Sequence, residues 1–142
     1  VPLLGYATRG HGPSPMSFTF NPSRGPIVVE AGLSGPKGQA DLRLILDTGA
    51  TTSLIRSTIL VAVGYDPDTS PDRVTVAMGN GLELVPRISL NRLSALGRHR
   101  LAFPVLAHSL PPAAGIDGLL GLDFLRGSRL TVDFPAGQVY LA

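Results

Sequence analysis

Short apolar runs separated by turn-forming residues dominate this chain, and an apolar stripe at helical spacing is rare. Residues 27–31 make the first run, a glycine-bearing stretch follows over 32–38, and a second run starts at Asp41, which together predict a β-hairpin connected through 32–38. The second strand, 41–46, alternates at first (Asp41, Leu42, Arg43, Leu44) and then becomes wholly apolar through Ile45 and Leu46. That is the pattern of a strand running from a wet edge into a core. Residues 53–63 are the best helix candidate, with Ile59, Leu60 and Val63 at helical spacing and Ser57 able to cap. Residues 66–72, with Pro67 and Pro71, read as a loop. The runs 74–77 and 82–85 flank Met78, Gly79, Asn80 and Gly81, where Asn-Gly predicts a tight turn and hence a protruding hairpin. Further strands are expected over 88–93, 101–106, 130–134 and 138–141, the last two joined by Pro135, Ala136 and Gly137. A single helical turn is expected over 123–127, with Asp123 as its N-cap. Many short strands, regular turns and one or two short helices predict an all-β or nearly all-β domain.

The lead-in differs from the rest. Residues 1–26 carry Pro2, Pro13, Pro15, Pro22 and Pro26 with Gly5, Gly10, Gly12 and Gly25, a density that excludes a helix and leaves an irregular arm with room for one short strand at 17–20. The chain thus divides into a Pro/Gly-rich arm, 1–26, and a folded domain, 27–142.

Composition narrows the function classes. At 142 residues and 44% apolar content the chain can build one domain with a real core. Twelve basic residues against ten acidic ones give a formal charge of +2, and the basic residues stand singly, with no run able to track phosphates, which argues against nucleic acid as a partner. The cations are almost all Arg, with Lys37 the only lysine, the usage of a GC-rich genome. There is no cysteine, so neither disulfides nor thiolate metal sites stabilise the fold, and no redox mark of compartment is present. No stretch reaches the ~20 apolar residues of a membrane span. The start at Val1, with neither an initiator Met nor a charged-then-apolar leader, reads as a domain excised or processed from a longer chain, for which periplasmic, membrane-tethered and cytoplasmic settings are all compatible.

Against this background one residue stands out. Asp47 follows Leu44, Ile45 and Leu46 and leads through Thr48, Gly49, Ala50, Thr51 and Thr52 into another apolar stretch, Leu54 and Ile55. A carboxylate at the end of a buried strand is costly unless it is paired or hydrogen-bonded, so its position invites a chemical reading. Asp-Thr-Gly alone is a weak signal, and a turn aspartate capping the following N–H groups is the plain alternative. Far downstream, however, Leu119, Leu120 and Gly121 answer it, and the glycine-containing hairpin Met78 to Gly81 lies between the two.

In that order, apolar-apolar-Asp-Thr-Gly-Ala, a glycine-containing hairpin and apolar-apolar-Gly, the chain resembles the retropepsin-type aspartic proteases. The segment Gly-Leu-Leu-Gly-Leu-Asp-Phe-Leu at 118–125 is similar to the retropepsin domains of DNA-damage-inducible ubiquitin-shuttle proteins and their bacterial relatives. The resemblance covers about 27–141. It implies a closed acid-protease barrel with one lobe per chain, Asp47 as the catalytic residue, and Thr48, Gly49 and Ala50 as the active-site loop. It further implies a flap of Ala77, Met78, Gly79, Asn80 and Gly81 closing over an extended polypeptide substrate, with Leu119, Leu120 and Gly121 as the second motif beside the substrate pocket. An apolar lining from Met78, Leu119 and Leu120 implies hydrophobic side chains flanking the cut.

Physical reasoning agrees that one Asp47 is insufficient. Taking a proton from water while giving one to a departing amine needs two carboxylates that share a proton, as like charges held close push their apparent pKa values apart. With one Asp-Thr-Gly per chain, the economical solution is a homodimer in which each Asp47 meets its symmetry mate. By resemblance, Thr48 would bond across that axis, while Gly49 lets backbone approach the carboxylate and Gly121 lets the second strand pack on the Asp loop.

Other residues yield plainer readings. Asp123 could be a second acid but fits better as an N-cap, and Asp117 and Asp133 read as turn and strand-end residues. His11, His99 and His108 are too scattered for a metal site, so neither metal nor organic cofactor is expected. The stretch 32–38 lacks the Gly-Lys-Ser/Thr ending of a phosphate loop. Two alternatives keep the fold: a catalytically silent dimerisation or peptide-binding module, and one lobe of a two-lobed pepsin-like protein.

Overall fold

A computed structural model of the chain describes residues 16–109 and 115–142; the greater part of the arm, 1–15, lies outside the described residues. The first hairpin consists of β2 (Val28–Gly35) and β3 (Gly38–Leu46), in register from Val28 opposite Ile45 to Gly35 opposite Gly38. Its strands run further than the glycines suggested. Ala31 and Leu33 continue the inward face that Val29 begins, all three buried, and that burial outweighs the turn preference of Gly32 and Gly35. The connection expected over 32–38 therefore shrinks to Pro36 and Lys37, which the positive φ of Gly38 helps to close.

The hairpin is the start of a closed barrel. β3 runs parallel to β8 (Gly118–Leu120), which is antiparallel to β4 (Leu54–Arg56); β4 runs parallel to β7 (Arg98–His108), and β7 is antiparallel to β6 (Gly81–Ala95). β6 then pairs back on β2, Ala31 opposite Ala95, so six strands close in the order β2-β3-β8-β4-β7-β6 and their interior edges are paired. β5 (Arg73–Met78) lies outside the closure, attached to β6 alone. A second sheet of three strands, β1 (Ser17–Thr19), β10 (Gln138–Leu141) and β9 (Leu130–Asp133), includes the short strand expected in the arm. Helices are brief: α1 (Ser57–Ala62), a 3-10 turn at Pro67–Thr69, and α2 (Leu122–Leu125).

Leu33, Leu42, Leu44, Ile55, Leu60, Leu90, Leu93, Val105, Leu120, Phe124 and Val139 are almost wholly excluded from solvent and form one core. Each such side chain contributes about 1.5–3 kcal/mol relative to exposure. Phe124 meets Phe103 edge to face at 5.7 Å between ring centroids, and Val139 and Leu141 extend the core to the second sheet.

Three expectations change here. The helix expected over 53–63 begins only at Ser57, because Leu54–Arg56 is captured as a strand between β8 and β7; Arg56 holds the cap position and Ser57 makes no capping bond. The separate strands expected over 82–85 and 88–93 are one strand, β6. Its Pro86 falls where pairing passes from β5, whose ladder ends at Arg73 opposite Pro86, to β7, whose ladder begins at Arg87 opposite Leu106. Asp123 is inside α2, not at its cap, which is Gly121.

Candidate active site

Parallel pairing of β3 with β8 places Leu44, Ile45 and Leu46 beside Gly118, Leu119 and Leu120. Asp47 leaves this ladder at its end, its N–H donating to the Leu120 carbonyl at 2.9 Å. The chain then turns tightly, with the Ala50 N–H donating to the Asp47 carbonyl at 3.1 Å. The Gly49 N–H donates to Asp47 Oδ1 at 2.9 Å, and a Cβ on Gly49 would stand 3.1 Å from that oxygen. Among the described residues the other carboxylate oxygen takes no hydrogen bond. Asp47 is half-buried while Thr48 and Gly49 are exposed, so the carboxylate is held from one side and open on the other.

The two motifs expected to meet do meet. The Leu122 N–H donates to the Ala50 carbonyl at 2.8 Å and the Asp123 N–H to the Thr51 carbonyl at 3.2 Å. A Cβ on Gly121 would lie 2.6 Å from the Ala50 carbonyl oxygen, so only glycine lets β8 and the Asp loop come this close. Gly118 repeats the device against the Leu54 carbonyl. Strand alternation separates the two leucines: Leu120 is fully buried in the core, whereas Leu119 is half-buried. Leu119 thus keeps some exposed surface, and the pocket-lining place expected of Leu120 is corrected to a core place.

Sequence reading missed one part of the site. Ser53 is the one fully buried polar residue among those described. Its hydroxyl donates to Asp123 Oδ1 at 2.7 Å and accepts the Gly121 N–H at 2.9 Å, while its own N–H donates to Asp123 Oδ2 at 2.9 Å. The only sequence signal was a small polar residue directly ahead of the apolar pair Leu54-Ile55, and its partner lies 70 positions away.

The glycine-containing hairpin is formed by β5 and β6, in register up to Met78 opposite Gly81, which leaves Gly79 and Asn80 as the two turn residues. Gly81 has φ +127°, the region that glycine tolerates. Ala77, Gly79, Asn80 and Gly81 are exposed at the tip. Cross-strand pairs Val74–Val85 and Val76–Glu83 share one face, and Thr75–Leu84 and Ala77–Leu82 the other. The first face packs toward the barrel, where Val85 joins Leu54 and Leu106; the second leaves Leu82 and Leu84 largely in solvent. At the hairpin root Arg87 clasps Asp72 with Nε to Oδ2 at 2.8 Å and Nη2 to Oδ1 at 3.1 Å. This bond holds the Asp72 carboxyl below its ordinary pKa and the Arg87 guanidinium above its own.

The remaining candidates take local partners. Asp117 Oδ2 accepts the Arg43 N–H and Asp133 Oδ1 the Ala136 N–H. His99 Nδ1 is 2.6 Å from Ser94 Oγ, and His108 Nε2 is 3.5 Å from Glu83 Oε2. His11 lies outside the described residues, and among those described no three His, Cys, Asp or Glu side chains gather as a metal site would require.

The family model described as "Aspartyl protease" matches residues 29–124, which takes in the Asp47 loop, the hairpin and the second motif. No curated protein matches the chain. Among solved structures, a retropepsin-like aspartic protease from Rickettsia conorii superposes with a TM-score of 0.64 at 18% identity, over 91% of this chain and 92% of that one. EIAV protease, solved with a bound inhibitor, superposes with a TM-score of 0.58 at 19% identity, over 81% of this chain and 100% of that one.

Proposed function

We propose that this chain, which belongs to the aspartyl protease family and has a retropepsin-like fold, is an endopeptidase that works as a homodimer, with the Asp47 carboxylates of two copies forming one site. The observation that carries the proposal is the half-open Asp47 carboxylate: one oxygen is fixed by the Gly49 N–H and the other has no partner among the described residues. Fixing one oxygen orients the group, and the free oxygen is available to water and to a second carboxylate.

In the dimer the two Asp47 groups share one proton. The ionised member takes a proton from the bound water as its oxygen attacks the scissile carbonyl, and the protonated member supplies a proton to the oxygen of the tetrahedral intermediate. Collapse of that intermediate breaks the C–N bond: the leaving nitrogen takes the proton that the pair gained from water, and a hydroxyl of the intermediate returns its proton to the pair as the product carboxyl forms, so the pair again holds one proton. Neither metal nor organic cofactor enters this reading. Thr48, exposed beside Asp47, would bond across the axis and stiffen the paired loops. The hairpin of Ala77, Met78, Gly79, Asn80 and Gly81 would act as the flap, adding backbone hydrogen bonds to an extended polypeptide. Leu119 favours an apolar side chain beside the cut.

Asp47→Asn removes the ionisable group without changing its shape. The expected result, against a panel of extended peptides from acid to neutral pH, is a loss of kcat of at least about a thousandfold with fold and dimer retained. Equal cleavage by the variant and the parent would sink the mechanism. A parent that dimerises but turns over no peptide would instead favour a silent peptide-binding or dimerisation module.

A further inference from the structure

A fully buried hydroxyl needs a reason, and the hydrogen bonds of Ser53 suggest one. The loop that carries Asp47 enters from β3 and leaves through Ser53, and both ends are tied to the same stretch of chain. At the entry the Asp47 N–H is held by the Leu120 carbonyl at 2.9 Å. At the exit the Ser53 hydroxyl accepts the Gly121 N–H at 2.9 Å and donates to Asp123 Oδ1 at 2.7 Å, and the Ser53 N–H reaches Asp123 Oδ2 at 2.9 Å. The Phe124 N–H adds a third donor, to Oδ1 at 2.9 Å, and the Leu106 N–H bonds the Ser53 carbonyl at 2.9 Å.

We infer that Ser53 and Asp123 form a clamp that sets the position of the Asp47 loop, making both positioning residues of the endopeptidase proposed above, on which reading the inference rests. Asp123 is neither a second catalytic acid nor an N-cap. Its carboxylate is committed to three donors within the chain, and no described cation pairs with it. An ionised carboxylate suits this role because it is an acceptor at both oxygens. An asparagine in its place would set an NH2 group against either the Ser53 N–H or the Phe124 N–H, donor facing donor, so one of the three bonds that hold the carboxylate would be lost.

The clamp is tested by kinetics on an extended peptide that the parent cleaves, using Asp123→Asn, Ser53→Val, Ser53→Thr and, as a control at the end of β9, where the carboxylate accepts the Ala136 N–H, Asp133→Asn. Asp123→Asn and Ser53→Val are expected to lower kcat about ten- to a hundredfold with KM within about threefold, because the reacting groups are misplaced while peptide contacts persist. Ser53→Thr, which matches valine in shape but keeps the hydroxyl, is expected to recover kcat to within about threefold of the parent, and Asp133→Asn to match it. Equal impairment of Ser53→Thr and Ser53→Val, or a parent-like kcat in Asp123→Asn, would overturn the inference. Should Ser53→Val fail to fold by circular dichroism, the shape-matched pair Asp123→Asn and Asp133→Asn decides. Failure of the endopeptidase reading is separately visible as a parent without turnover. In that case amide hydrogen exchange still decides: the clamp requires the Ser53 and Gly121 amides to lose protection by about tenfold or more in Asp123→Asn but not in Asp133→Asn, and unchanged protection refutes it.

Discussion

Two glycines show how differently the same residue type can act. At Gly121 a Cβ would stand 2.6 Å from the Ala50 carbonyl oxygen and 3.1 Å from the Thr52 carbonyl carbon, both backbone atoms that cannot swing aside. At Gly32, within β2, nothing lies within 4 Å of the same position. Gly121→Ala is therefore expected to destabilise the fold by about 1–3 kcal/mol through overpacking, with loss of cleavage because the Asp47 loop moves. Gly32→Ala is expected to be neutral or to stabilise by up to about 1 kcal/mol, since alanine has less freedom to lose on folding. Urea midpoints for the two variants check the pair, and equal shifts would contradict it. The role of Gly121 was legible in the sequence because it needed only two motifs to meet. That of Ser53 was not, because a serine before an apolar run gives no sign of an acceptor 70 positions later.

Elements were legible where local chemistry decides them and obscure where neighbours do. Asn80-Gly81 between two apolar runs announced a hairpin, although the register makes Gly79 and Asn80 the turn and leaves Gly81 paired. The β6–β7 turn went unread because it uses Leu96 at φ +52° ahead of Gly97, and leucine is no turn signal. Leu54–Arg56 fell into an expected helix because strand capture by β7 and β8 is a tertiary effect. The hairpin's anchorage carries a pH prediction. Arg87 holds the folded-state pKa of Asp72 below 3.8, so the pair's contribution is fully present above the ordinary carboxylate value and is lost as pH falls through the lower folded value. Both groups are exposed, and the contribution is small. Comparing the thermal midpoints of Asp72→Asn and the parent should show a gap at about pH 5–7 that closes in strong acid. A gap that widens in acid would contradict this origin.

On the scale of the whole molecule, the barrel accounts for one carboxylate and the proposed chemistry needs two. A two-lobed protein would hold the second on the same chain; a homodimer borrows it, and the two cases respond differently to mixing. If active sites form from pairs of chains, equilibrating the parent with an equal amount of Asp47→Asn leaves about one quarter of the dimers with two intact carboxylates, so activity per parent chain falls to about half. If each chain were catalytically self-sufficient, added variant would change nothing. Dilution gives a second reading of the same equilibrium, because a site shared between subunits loses specific activity as the dimer dissociates and regains it with saturating peptide that bridges both halves. Activity per parent chain that stays constant across both the mixing series and the dilution series would rule out a shared Asp47 site, even if Asp47→Asn alone proved inactive.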